Sequence, residues 1–219
     1  MVRCWREKMT AFILIPALSL LVMLQGQALS SEVIKGSLAL PVAEAGGAVQ
    51  VSKDSWKVRL DVGEFSEVGF DRFGTWGQDC LYEHAYGGDR DGYFAYRFKG
   101  PTVAVYGVEV QARLSAESQT SGLPEETSDV TLTINGVELG TQTVLPDNGE
   151  GRIHTWHLPD RLLLSALKLR PGPENELRFT VKKTAPNQHG LCIYGRFVDG
   201  SRAGSAIPIL VTLALKAGR

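Results

Sequence analysis

Between Asp71 and Phe98 the chain reads DRFGTWGQDCLYEHAYGGDRDGYFAYRF, which sets large aromatic rings among planar hydrogen-bonding side chains. Trp76, Tyr82 and Tyr86 supply the rings, and Gln78, Asp79, Glu83, His84 and Arg90 supply the polar groups. Sugars present apolar C–H faces rimmed with hydroxyls, so a site for them pairs an aromatic platform with such planar donors and acceptors. The same rings would equally serve as caps on a core, the role that Phe70 and Phe73 invite. Two shorter segments offer similar chemistry. In RIHTWHLPD, residues 152–160, a strand would set His154 and Trp156 on one face and His157 on the other. Trp156 suits a core position as well as a platform. In TAPNQHG, residues 184–190, Asn187, Gln188 and His189 could meet a ligand or simply form a polar turn.

Metal and catalytic patterns are thinner. Asp89-x-Asp91-Gly92 has the oxygen spacing with which a calcium loop begins, but the later acidic position of the twelve-residue pattern is missing. His154-x-x-His157 fails as a zinc pair, because a strand points the two rings in opposite directions and no third ligand is suitably spaced. No G-x-S-x-G, H-E-x-x-H or phosphate-cradling glycine loop occurs. Carboxylates far apart in sequence can still pair, so Asp79, Glu83, Asp89 and Asp91 leave open a glycoside hydrolase. Tyr82 with His84 or His189 leaves open proton abstraction in a polysaccharide lyase.

The elements that must position these residues read as strands. Val58, Leu60 and Val62 alternate with Arg59 and Asp61, Phe94, Tyr96 and Phe98 with Tyr93 and Arg97, and Val108, Val110, Ala112 and Leu114 with Glu109, Gln111 and Arg113. From residue 129 the order sharpens. Val130, Leu132 and Ile134 alternate with threonines, and Asn135-Gly136 has the residues of a type I′ hairpin turn, after which Val137 and Leu139 restart the alternation. Leu177, Phe179 and Val181 repeat the pattern ahead of the closing HGLCIYGRF. Only LPDRLLLSAL suggests helix, for a turn or two. The polar run from Ser115 to Asp129 reads as an exposed loop.

This order of strand, NG turn, strand, proline-started turn, RPGPENEL strand and closing strand resembles the galactose-binding-like jelly roll. That fold is seen in carbohydrate-binding modules, in the sugar-binding domain of β-galactosidase-type glycosidases and in the carbohydrate-binding domain of rhamnogalacturonan lyases. The resemblance covers about a third of the chain well. It implies an all-β, antiparallel jelly-roll β-sandwich and a polysaccharide or oligosaccharide ligand. Modules of this kind often hold one structural calcium, for which Asp89 and Asp91 are the candidate ligands. Fold alone does not fix function, and a non-catalytic protein-binding or structural subunit is a further reading.

Residues 1–30 carry Arg3, Arg6 and Lys8 ahead of an apolar run from Ala11 to Leu24, the pattern of a secretory signal peptide and too short to span a bilayer. The remainder, 31–219, suits a single β-sandwich domain, secreted or periplasmic. The whole chain has a net charge of −1, and nothing in that balance favours nucleic acid or an anionic membrane. The ten apolar residues near the C-terminus, with Pro208 among them, read as a last strand and not a membrane span. Cys80 and Cys192 are the two cysteines left after the signal, and in an oxidising compartment they read as a disulfide, with two buried thiols as the alternative.

Overall fold

The computed structural model describes residues 38–39, 47–76, 82–88, 91–117, 126–158, 161–182, 189–197 and 209–215. Residues 1–30, expected to be a signal peptide, therefore lie outside the described residues. Fourteen strands and one short helix follow in order among the described residues: β1 (Leu38–Ala39), β2 (Ala48–Val51), β3 (Ser55–Leu60), β4 (Glu67–Val68), β5 (Phe73–Trp76), β6 (Tyr82–Gly87), β7 (Gly92–Gly100), β8 (Gly107–Glu117), β9 (Ser128–Ile134), β10 (Val137–Val144), β11 (Arg152–Leu158), α1 (Arg161–Ala166), β12 (Gly172–Val181), β13 (Gly190–Phe197) and β14 (Ile209–Ala214). They form an antiparallel jelly-roll sandwich. One sheet runs β1-β4-β7-β12-β9-β10, and the other runs β2-β3-β14-β8-β13-β6-β5, with β11 also paired to β8.

Period-two alternation builds the core as the sequence predicts. Val130, Leu132, Ile134, Leu177, Phe179 and Val181 all turn inward and are buried, and so do Phe94, Tyr96 and Phe98 from β7 and Val108, Val110, Ala112 and Leu114 from β8. Asn135 and Gly136 have φ of 49° and 79°, both positive, as a type I′ turn needs. The Asn135 side chain does more than turn the chain. Its Oδ1 accepts from Glu176 N at 2.9 Å and its Nδ2 donates to Leu167 O at 2.8 Å, so the hairpin is fastened to the β11–β12 connection. There it meets the fully buried Asn175, whose Oδ1 accepts from Arg170 N at 2.8 Å and whose Nδ2 donates to Arg170 O at 2.8 Å.

Two expectations change. The stretch from Trp76 to Asp91, expected as a binding loop, holds the end of β5 and all of β6, with Trp76 paired to His84 across the two strands. The exposed loop expected over Ser115–Asp129 is shorter, because β8 runs on to Glu117 and β9 starts at Ser128, and Ser115 and Ser128 are buried. The closing apolar run is a last strand, as its sequence reads, and lies inside the sheet, where β14 pairs with both β3 and β8.

The register makes two predictions for chemical denaturation. Leu132→Ala should cost about 2–5 kcal/mol and Thr133→Ala less than about 1 kcal/mol, since only Leu132 leaves a cavity. Asn175→Ala should cost at least about 2 kcal/mol, because it strands buried backbone groups without partners. Equal losses at positions 132 and 133 would mean the register is wrong.

Candidate functional site

The strands that bury Ala85, Leu114, Leu191 and Ile193 in the main core must turn their intervening residues to the opposite face of the eight-stranded sheet. Register places two rows there. Trp76, His84, Tyr194 and Arg113 lie side by side across β5, β6, β13 and β8, and Gly74, Tyr86, Cys192 and Ser115 form the next row. Tyr82, Cys192 and Tyr194 make a second, smaller buried cluster, with Tyr86 packed against it. Sequence alone did not single out Tyr194, Arg113 or Ser115. The signal was present in LCIYG, whose two alternating faces are both poor in charge and therefore both covered.

Aromatic rings pave this face. His84 lies 5.4 Å from Tyr194 and 6.3 Å from Tyr86 between ring centroids, Tyr82 meets Tyr194 edge-on at 6.2 Å, and the Arg113 guanidinium sits 5.1 Å over Tyr82. Gly74 leaves the room Tyr86 needs, since a Cβ there would lie 2.8 Å from the Tyr86 hydroxyl. Exposure varies sharply across the patch. Tyr194 and Cys192 are fully covered, His84 and Tyr86 are half-buried, and Trp76 is 48% exposed.

A connection from Leu145 to Gly151, between β10 and β11, covers the buried half. Tyr194 donates its hydroxyl proton to Asp147, and its oxygen lies 3.0 Å from Ser115 Oγ. Arg113 Nη1 donates to the carbonyls of Glu150 at 3.1 Å and Gly151 at 3.3 Å. Gly151 has φ of 62° and lies so close to Tyr194 that a Cβ would come within 2.6 Å of the ring, so both backbone shape and contact demand glycine here. Cys192 donates its thiol proton to Glu117 Oε2 at 2.7 Å, and Glu117 lies 3.8 Å from Arg72 Nη2. Burial first, then the carboxylates of Glu117 and Asp147, pushes the Cys192 thiol well above the ordinary thiol range. Burial does the same to the Tyr194 hydroxyl. Both groups stay protonated and serve as donors, not as nucleophile or base.

The candidate ligand residues therefore divide. Trp76, His84 and Tyr86 come together on one face. Tyr82 is a buried floor ring, and Trp156 is a core residue, 2% exposed, with its Nε1 donating to Gly140 O at 3.2 Å. Glu83 is displaced from the His84 face by the alternation of β6. His189 sits at the start of β13, half-buried, its N donating to Thr127 O at 3.2 Å. Gln78, Arg90 and Asn187 lie outside the described residues. The expected disulfide is not formed, because Cys192 is a free buried thiol. Register sets Cys192 opposite Tyr86 and Ser115, where its thiol is taken up by Glu117. Cys80 itself lies outside the described residues.

Of the residues considered for proton transfer, His84 Nδ1 lies 3.4 Å from the Tyr82 carbonyl oxygen. Glu83 lies on β6 and Asp91 just ahead of β7, while Asp79 and Asp89 lie outside the described residues. Asp91 is exposed, and among the described residues no three His, Cys, Asp or Glu side chains come together to hold a metal ion.

No protein-family model matches the chain, and no curated protein matches it in sequence. Among solved structures, the C-terminal family 6 carbohydrate-binding module of a marine laminarinase from Zobellia galactanivorans is similar over 72% of this chain and 98% of that one, at 6% identity and a TM-score of 0.44. An Arthrobacter globiformis isomalto-dextranase complexed with panose is similar over 72% of this chain and only 23% of its own length, at 9% identity and a TM-score of 0.41. A family 36 carbohydrate-binding module in complex with calcium and xylotriose is similar over 71% of this chain and 96% of that one, at 12% identity and a TM-score of 0.37. Overlaps this partial assign neither ligand nor metal to this chain.

The division of roles is testable by thermal and chemical denaturation. Trp156→Ala should cost about 3–5 kcal/mol, as a core deletion does. Tyr194→Phe should cost about 1–3 kcal/mol by leaving Asp147 and Ser115 without their buried partner. If Trp156→Ala were as stable as the parent chain, the core assignment would fail.

Proposed function

We propose that the protein is an exported glycan-binding protein whose platform is Trp76, with His84 and Tyr86 as the adjacent polar-edged rings. The observation that carries this reading is the exposed indole of Trp76, beside two half-buried rings on an otherwise fully packed aromatic floor. An exposed tryptophan at the end of an edge strand costs solvation unless something covers it, and the C–H face of a sugar is a fitting cover. Strand spacing of about 4.8 Å puts the three rings within reach of one or two adjacent sugar units. Their donors and acceptors, His84 ring nitrogen and Tyr86 hydroxyl, then meet hydroxyls at the rim. Because the floor beneath is fixed by the Tyr194, Ser115 and Asp147 bonds, little ordering entropy is lost on binding.

Export is part of the proposal and rests on the basic and apolar pattern of residues 1–30. Among the described residues no helix is long and apolar enough to cross a membrane.

Trp76→Ala tests the platform. On a glycan array followed by calorimetry, it should lower affinity by roughly 1–3 kcal/mol, about 5- to 150-fold, as loss of an aromatic anchor does. The thermal midpoint should hardly move, because the ring is half-exposed. Undiminished binding, or unfolding of the variant, would remove Trp76 from the site. The same glycans incubated with the parent chain should yield no new reducing ends and no unsaturated uronates; either product would replace the binding reading with hydrolysis or elimination.

A further inference from the structure

The sandwich closes along one side without a backbone ladder. β10 is the edge of the six-stranded sheet and β11 hydrogen-bonds into the other sheet through β8, so only side chains bridge them. Gln142 Nε2 donates to Thr155 O at 2.8 Å, Trp156 Nε1 donates to Gly140 O, and His154 Nδ1 lies 3.0 Å from Gln142 Oε1. An amide oxygen only accepts, so His154 holds its single proton on Nδ1. Its Nε2 is then a bare lone pair, buried and with no hydrogen-bond partner.

That seam is also the stem of the Leu145–Gly151 connection, which leaves β10, covers Tyr194 and returns as β11. We propose that His154 is a pH-operated latch on this cover: when the ring takes up a second proton, the seam at Gln142 gives way and the connection lifts from Tyr194 and Arg113.

A proton on Nε2 would enter a place with no acceptor. Register sets Ala112 of β8 opposite His154 and Val130 of β9 opposite Gln142, and Trp156 lies next along the same face of β11. These neighbours are all uncharged, and the one charge acting on the ring is the cation of Arg152. Burial first, then Arg152, holds His154 below the ordinary histidine value of 6.5. A histidine lowered in the folded state favours the closed seam while neutral. The stabilisation is complete above about pH 6.5 and is lost as pH falls below it toward the depressed folded value. At the foot of the connection, the bond from Ala116 N to Leu145 O at 2.8 Å keeps the opening local.

Hydrogen exchange of the full chain, read by mass spectrometry at pH 7.5 and 5.0 and corrected for the intrinsic chemical rate, tests the latch without any sugar present. Its outcome is therefore independent of the glycan reading. The peptide spanning residues 145–151 should exchange about fivefold or more faster at pH 5.0 than at pH 7.5, while peptides from β9 and β12 stay unchanged. His154→Gln keeps a neutral donor at the seam and retains His84, His157 and His189, and it should abolish the difference. Should that variant fail to fold, NMR titration of the parent chain decides. The amides of Gly149 and Gly151 should shift with the same midpoint as the His154 ring. Exchange independent of pH in the parent, equal acceleration in His154→Gln, or amide midpoints that do not follow His154 would overturn the proposal.

Discussion

The eight-stranded sheet depends on one strand having more partners than a strand has edges. β8 gives one edge to β11 along Val108 to Leu114, and it divides the other between β14, which takes Gly107 to Gln111, and β13, which takes Arg113 to Glu117. Every backbone donor and acceptor on an interior strand must find a partner, so a strand eleven residues long can hold two shorter ones end to end and fork the sheet. One branch, β14 with β3 and β2, closes the main core. The other, β13 with β6 and β5, carries the aromatic face. The fork thus separates the residues that close the main core from those that form the aromatic face, although both hang on the same strand.

Hydrogen bonds, not a covalent bridge, hold the second branch in place. Tyr194, Ser115, Asp147, Cys192 and Glu117 satisfy one another in a dry layer beneath the β10–β11 connection. Interior hydrogen bonds are strong when all are made and costly when one is missing. The layer is therefore rigid in its fully bonded form, which is what a binding platform needs. The Asn135 and Asn175 amides play the same part at the NG hairpin, where they satisfy the backbone of the β11–β12 connection.

Rigidity also explains why the seam between β10 and β11 stands out. Elsewhere the sheets are joined by ladders or by core packing, whereas here three side-chain bonds hold two strand edges together. A titratable ring among them makes this the softest join, and the covering connection hinges on it.

Much of the fold was legible in the chain. The alternation of Val130, Leu132 and Ile134, the Asn135-Gly136 turn, and the matching faces of Leu177, Phe179 and Val181 are local properties, since side-chain period and turn chemistry are set by neighbours within a few residues. The sequence likewise gathered Trp76, His84 and Tyr86 into one aromatic-rich segment, while the alternation of β6 that sets His84 and Tyr86 on one face came only with the structure. What it could not determine were contacts between elements distant along the chain. That Trp156 is core, that Tyr82 is floor, and that Cys192 meets Glu117 follow from register between strands, since a shift of one residue turns every side chain of a strand to the other face. Arg113, Ser115, Asp147 and Tyr194 meet only because β8, β13 and the β10–β11 connection converge. Composition and periodicity thus determined that the chain is a sandwich with an aromatic-rich segment, while pairing across the forked sheet decided which rings are buried and which one faces solvent.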